Sequence, residues 1–474
     1  MAAKDDHLFE LPKLRVSFGF ENDTRFLGHD DNVAVICRLS KHTGDSNPCE
    51  VIAIIRDEDD ESSGCCCTWT KDPVSGAPYI CIGGVDAKVK IYDVSDGRLV
   101  ECFVGHGGDV NDLATSPIDP SIIASASDDT SVRLWSLDPV HRDQPCLCIL
   151  AGEGHSWGLL SAAFHDTGHY ILSSGHDQII NLWTIPDLPK TAITTPLQVH
   201  YPHFSTSAVH SGIVDCVAFY GDYILSRACH DNVIVLWRIE GFSSAGPRPS
   251  QSTAPTPQNV VPTSYEDPDR LTRSAFVPAT SPQCPSQYTR LLEFHTPNCG
   301  PQFFMRFKLH DVADQNPVLA FCNAAGNIFF WDLRRLTVYR DVMAAQRDPR
   351  RDKSRPIQLP SWLKPVIPRQ RADATGRIKG VGSDRDSTAS GQTGHTETTE
   401  YSSDTLESWA SRYSMEDPHD SLRAHRTESS SANFVGRQAA WSPGGEWCVV
   451  VGSSNTTLVL QRWAGKPTSR AHGT

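Results

Sequence analysis

SASDDTSVRLW, residues 125–135, holds a small-residue run, a pair of aspartates and an alternating run that ends on an indole. Asp, Thr and Ser favour tight turns, and Val-x-Leu-Trp favours an extended strand, so the stretch predicts two strands joined by a short turn. The frame recurs in IGGVDAKVKIY (82–92), SSGHDQIINLW (173–183) and RACHDNVIVLW (227–237). In each unit an Asp precedes an aromatic at one constant spacing: Asp86 and Tyr92, Asp129 and Trp135, Asp177 and Trp183, Asp231 and Trp237. A constant offset through four units identifies an internal repeat of strand pairs, and the class is all-β.

Upstream of three units stands a histidine, in Gly105-His106, Gly154-His155 and Val209-His210. Together these features resemble WD repeats. The resemblance implies that His106, Asp129 and Trp135 form a buried network with a strand Ser or Thr, as do His155, Asp177 and Trp183, and His210, Asp231 and Trp237, with Asp86 as the turn residue of the first unit. The physical reason is general, since a buried imidazole, a carboxylate and an indole N–H must satisfy one another. These residues are therefore expected to be structural, although a His–Asp pair alone would suggest catalysis. Weaker copies at 320–333 and 436–463, and two or three strands in 25–39 and 49–56, complete the expectation of a seven-bladed WD-repeat β-propeller.

Composition limits the function. The chain has 474 residues, 39% hydrophobic and 8% aromatic, enough for a sizeable core. No apolar run is long enough for a membrane helix, the N-terminus lacks a secretory pattern, and an intracellular protein without a membrane partner is expected. Fifteen cysteines are scattered without a framework, and Cys65-Cys66-Cys67 has no partner pair at zinc spacing, so neither disulfides nor a metal site is expected. The net charge of −13 suits a receptor for a basic peptide better than a protein that coats nucleic acid. Residues 340–380 run the other way, with eleven Lys or Arg against four Asp, and could make a nucleic-acid contact. The Pro/Ser/Thr-rich stretch 243–290 and the basic, then Ser/Thr-rich stretch 340–425 are expected to be disordered insertions between blades. The remaining divisions are an N-terminal segment with a possible closing strand (1–24), blades 1–5 (25–242), blade 6 (291–339), blade 7 (426–465) and a tail (466–474).

One stretch does not fit the repeat. In CGPQFFMRF, residues 299–307, Phe303 and Phe304 are adjacent, so they cannot share one face of a strand. With Met305 and Phe307 turned inward and a strand beginning at Met305, the two rings fall at a channel mouth. Paired rings at a rim can hold a methylated ammonium by cation–π attraction.

The motifs CTWTKD (67–72), VGHGGDVNDL (104–113), GEGHSWGLLSAAF (152–164), VHYPHFSTSAVHSGIVDCV (199–217) and FFMRF resemble the EED, or extra sex combs, family, the WD-repeat subunits of the Polycomb repressive histone methyltransferase complex. The resemblance implies a non-catalytic nuclear scaffold and methyl-lysine reader in transcriptional silencing, without a cofactor. Its implied partners are the methyltransferase catalytic subunit, a zinc-finger subunit of the same complex and a trimethylated histone tail. The family's aromatic cage maps onto Phe303, Phe304 and Phe26, the last beside Asn32, and the fourth position falls on Cys65, which leaves three walls. Flanking peptide contacts map onto Asn111, in the loop after Gly-His-Gly, and Arg437. No phosphate loop, nucleophile elbow or zinc-protease motif suggests an enzyme. A second reading comes from Trp331-Asp332-Leu333-Arg334, which resembles the box by which WD-repeat substrate receptors dock onto cullin-type ubiquitin ligases.

Overall fold

The computed structural model describes residues 6–18, 33–40, 48–57, 63–259, 261–262, 271–277, 287–352, 357–364, 401–430, 434–453 and 456–463. Among the described residues, six sheets of four or more strands stand around a channel as blades, antiparallel except where Leu197–Val199 joins Cys146–Leu150 in parallel. Their innermost strands are β1 (Gly64–Lys71), β2 (Val110–Thr115), β3 (Leu159–Phe164), β4 (Val214–Tyr220), β5 (Lys308–His310) and β6 (Gly436–Trp441). Each repeat unit supplies the second and third strands of a blade; Ile122–Ser127 and Val132–Ser136, for example, follow β2 and meet at the Asp129 turn.

Ring closure joins the two ends of the described chain. Lys13–Phe18 pairs antiparallel with Thr457–Gln461, with Leu14 opposite Leu460, and so forms the outer strand of the blade that β6 begins. Arg462 fastens this join: its Nε donates to the Glu10 carbonyl at 2.9 Å, and its guanidinium lies 4.5 Å from the Trp463 ring centroid. Burial pushes its pKa down to about 10. A two-stranded sheet, Val33–Leu39 with Cys49–Arg56, packs Ile36 and Ile55 against Ile80 and Tyr92 of the β1 blade. Its Leu39 and Cys49 pack against the Phe18, Trp447 and Val459 cluster of the closing blade. It therefore sits between the last four-stranded blade and the first.

The expected boundaries need correction. Tyr288–His295 is the fourth strand of the β4 blade and Arg426–Ser429 that of the β5 blade, so both insertions lie inside a blade, between its third and fourth strands. The fourth strand carries neither the turn Asp nor the terminal aromatic, and nothing in the repeat pattern marks it. Nor are the insertions wholly irregular. Leu271–Ser274 extends the β3 blade by pairing with Phe204–Thr206, and the Thr272 and Thr206 hydroxyls bond at 2.7 Å. Helix α1 (Leu333–Arg347) begins at Asp332, whose carboxylate accepts from the Arg334 N–H at 2.9 Å. Helix α2 (Ser403–Tyr413) starts at the Ser402 cap and buries Trp409 and Tyr413 in the cluster that contains Phe294 and Trp331. The rest of the two stretches, 260, 263–270, 278–286, 353–356 and 365–400, lies outside the described residues.

Candidate functional site

Three histidine networks repeat one geometry. His106 Nδ1 lies 2.8 Å from Asp129 Oδ2, His106 Nε2 lies 2.6 Å from Ser125 Oγ, and Trp135 Nε1 donates to the same oxygen at 2.7 Å. His155, Asp177, Ser173 and Trp183 repeat it with a 2.7 Å His–Ser contact, and His210, Asp231, Ser226 and Trp237 repeat it at the same distance. Each Ser hydroxyl accepts from the indole and donates to Nε2, which assigns the imidazole proton to Nδ1 and thence to the carboxylate. The three serines are completely buried, so no substrate reaches them. The first unit differs. Asp86 holds its tight turn but pairs with Lys90 Nζ at 2.8 Å instead of a histidine, and Lys90 also reaches Asp57 at 2.5 Å.

Burial holds His106 and His210 below the ordinary imidazole range. For Asp129 and Asp231 burial acts upward, but the histidine bonds outweigh it and hold both carboxyls below their usual range. Both effects have the same sign. As pH falls, the unfolded chain takes up protons on these histidines and then on these carboxylates before the folded chain does, so stability is full above about pH 6.5 and declines below it. Thermal melting of the full chain is expected at a lower temperature at pH 5.5 than at pH 7.5. An unchanged or higher melting point in acid would contradict the neutral-histidine assignment.

Contacts join the starts of the inner strands β1, β2 and β3 to one another, and the chain just before β5 to the start of β6. Cys66 Sγ lies 3.3 Å from the Val110 carbonyl, Asn111 Nδ2 donates to the Leu159 carbonyl at 2.8 Å, and the Arg306 N–H donates to the Arg437 carbonyl at 2.9 Å. The Phe303–Phe304 loop enters this rim. Met305 and Phe307 point inward and are buried, as the alternation predicts, but the strand begins at Lys308, three residues later than expected. The reason is visible in the backbone. Phe304 has φ +57°, the left-handed region that bulky residues avoid, and the surroundings must hold it there. The Met305 N–H donates to Asp215 Oδ2 at 3.1 Å, and Asp215 forms a fully buried 2.5 Å pair with Arg227. From the other side Arg437 Nη1 donates to the Phe303 carbonyl at 2.8 Å.

The two phenyl rings lie 5.1 Å apart, tilted by 41°, and Phe303 is 36% exposed. Behind them Arg306 spans the channel, donating to Asp112 Oδ1 at 2.5 Å and to the carbonyls of Asn111 and Leu160 at 2.7 Å each. Its guanidinium carbon stands 5.7 Å from the Phe304 centroid. Asp112 compensates that charge, so the outer face of Phe304 keeps its attraction for a second cation. Cys65 opens β1 on the same rim. Desolvation, and after it the carboxylates of Asp109 and Asp128, push its thiol upward, while Arg306 pulls it down.

One expected site residue is placed differently. Asn111 lies in β2 and not in a loop; it is buried, and its amide is committed to Asp128 Oδ1 at 2.7 Å and to Leu159. Arg437 braces the aromatic loop from beneath. Phe26 and Asn32 lie outside the described residues. Sequence reasoning missed Arg306, the Asp215–Arg227 pair, and Trp157 with His176, whose rings continue the aromatic row. The signal for Trp157 was present: the residue two after the repeat histidine is Gly108 or Gly212 in the sister units.

Residues 97–136 and 145–184 match the family model described as "WD domain, G-beta repeat". The Polycomb protein EED of Chaetomium thermophilum is 42% identical over 100% of this chain and 100% of its own length. A crystal structure of an active polycomb repressive complex 2 in the basal state contains a similar chain at 44% identity with a TM-score of 0.83, covering 97% of this chain and 100% of that one. A structure of ctPRC2 in complex with H3K27me3 and H3K27M matches at 44% identity with a TM-score of 0.82, covering 97% and 99% respectively.

Proposed function

This chain belongs to the EED family of Polycomb WD-repeat proteins, and on that premise we propose that it presents one rim of its propeller to a trimethylated histone tail while it scaffolds a histone methyltransferase. It is a non-catalytic subunit of the Polycomb repressive complex 2 type, and the catalytic subunit is a separate chain. The observation that carries the reading function is the tilted Phe303–Phe304 pair, with Phe303 exposed and Phe304 half-buried, on a loop whose backbone is clamped from both flanking blades. Phe26 would add a third wall, and the two-stranded sheet at 33–56 would complete a seven-bladed ring by filling the remaining blade position. The zinc-finger subunit of the complex, a nuclear location and a salt-sensitive nucleic-acid contact through 340–380 belong to the same reading. Nothing supports the ligase-receptor alternative: Trp331 and Asp332 are completely buried, and Asp332 serves as the α1 cap.

Affinity purification of the tagged chain from its own cells is expected to retrieve a histone methyltransferase and a zinc-finger protein. Recovery of a ligase adaptor without them would refute the assignment. The missing wall offers a finer test. Cys65→Tyr adds an aromatic face at an exposed rim position and is expected to tighten trimethyl-lysine peptide binding by about 0.5–1.5 kcal/mol, the scale of one cation–π contact. Calorimetry on parent and variant checks it, and unchanged or weaker binding would mean that Cys65 does not face the bound cation.

A further inference from the structure

The aromatic row does not stop at Phe303. The His176 ring stands 5.6 Å from Phe303 at 71°, and the Trp157 ring lies 5.8 Å beyond His176. Trp157 is 66% exposed, so its indole gives the fold little, and the sister units place glycine at the same repeat position. A Cβ built on the next residue, Gly158, would fall 2.3 Å from Asp128 Oδ1, which puts that carboxylate directly beside the Gly158 backbone, one residue after Trp157; the same oxygen accepts from Asn111 Nδ2 at 2.7 Å. Asp128 is itself exposed, and its N–H donates to the Asp109 carbonyl at 2.9 Å. Burial first, and then Asp128, raises the Asp109 carboxyl above its usual range, as expected where negative charge gathers without a cation.

An exposed indole whose following residue abuts an exposed carboxylate, at the end of an aromatic row that starts from Phe303, matches one side-chain chemistry better than others. A guanidinium is planar, stacks flat on an indole and donates to a carboxylate in the same pose. An apolar side chain would leave the second oxygen of Asp128, the one that Asn111 does not engage, without use, and an ammonium would stack less well. We infer that Trp157 and Asp128 form a subsite for an arginine side chain of the same tail that places its methylated lysine against Phe303 and Phe304. The inference rests on the reading function proposed above. It makes Trp157 a determinant of which methylated tails are bound, separate from the determinant of whether they are methylated.

The test is calorimetry with the full chain and a ten-residue peptide series. Each peptide carries one trimethyl-lysine in an otherwise Ala/Ser background, with a single arginine one, two or three residues to either side. At one of these positions arginine is expected to tighten binding about five-fold over the arginine-free peptide. Trp157→Ala should remove that gain, Trp157→Tyr should keep most of it, and Asp128→Asn should weaken it, while preference for trimethylated over unmodified lysine persists in all three. No gain at any position, or a gain that survives Trp157→Ala, overturns the subsite while leaving the lysine pocket intact. Equal binding of trimethylated and unmodified peptides by the parent would overturn the reading function, and the subsite with it.

Discussion

Asp129→Ala is expected to destabilise the propeller by about 2–4 kcal/mol. The carboxylate accepts from His106 Nδ1 at 2.8 Å, from the Gly107 N–H at 3.0 Å and, through its other oxygen, from the Ser131 N–H and hydroxyl at 3.0 and 2.6 Å. Alanine leaves these donors facing a methyl group, and the His106 side chain is wholly buried, so water cannot replace the lost acceptor without opening the blade. The imidazole then loses its fixed tautomer, and with it the Ser125 bridge to Trp135. Asp177→Ala removes the same support from the β3 blade. Asp86→Ala should cost less, because Lys90 keeps Asp57. Denaturant or thermal melting ranks the three. An Asp129→Ala protein that melts with the parent but loses peptide binding would show that these aspartates serve the ligand and not the fold.

Phe304→Ala is expected to remove most of the preference for trimethyl-lysine while leaving stability and methyltransferase binding in place. A cation–π contact contributes about 0.5–2 kcal/mol, and Phe304 is one of only two ring walls among the described residues, so the trimethylated peptide should lose roughly 2- to 30-fold in affinity. The unmodified peptide should change little, since a strongly hydrated ammonium gains less from the ring. The loop should hold, because its clamps are made by backbone groups and by Asp215, Arg227 and Arg437, none of which needs the phenyl. Arg306 loses one ring face but keeps Asp112 and two carbonyls. Parallel titration of both peptides against parent and variant separates a lost wall from a lost fold. A uniform loss for both peptides would indicate collapse of the loop.

How much could be read from the sequence follows from what each element needs chemically. The second and third strands of the β1 to β4 blades were legible because a tight turn demands its Asp and the buried aromatic, Tyr92 or an indole, sits at a fixed distance from it. The fourth strands were not, because an outer strand needs only edge pairing; Tyr288–His295 and Arg426–Ser429 carry no signature, and the insertions before them hid their membership. Helix α2 did leave a trace, with Leu406, Trp409 and Tyr413 spaced along one helical face behind the Ser402 cap, but the Ser/Thr content around it outweighed that trace. At the rim, adjacent phenylalanines betrayed a break in strand alternation. Asn111 was misplaced because strand β2 begins closer to the Gly-His-Gly turn than its loop-like composition implies. Arg306 gave no local signal, since its partners Asp112 and Leu160 come from blades far away in sequence.

The most direct test of the account is the affinity of the unmodified full chain for one histone-tail peptide in two states, trimethylated and unmodified at a single lysine, measured by calorimetry under the same salt. The account predicts clear preference for the trimethylated peptide, with the difference lost in Phe304→Ala. Equal affinity for the two peptides would mean that the Phe303–Phe304 rim is not a reading site and that this propeller acts as a scaffold alone.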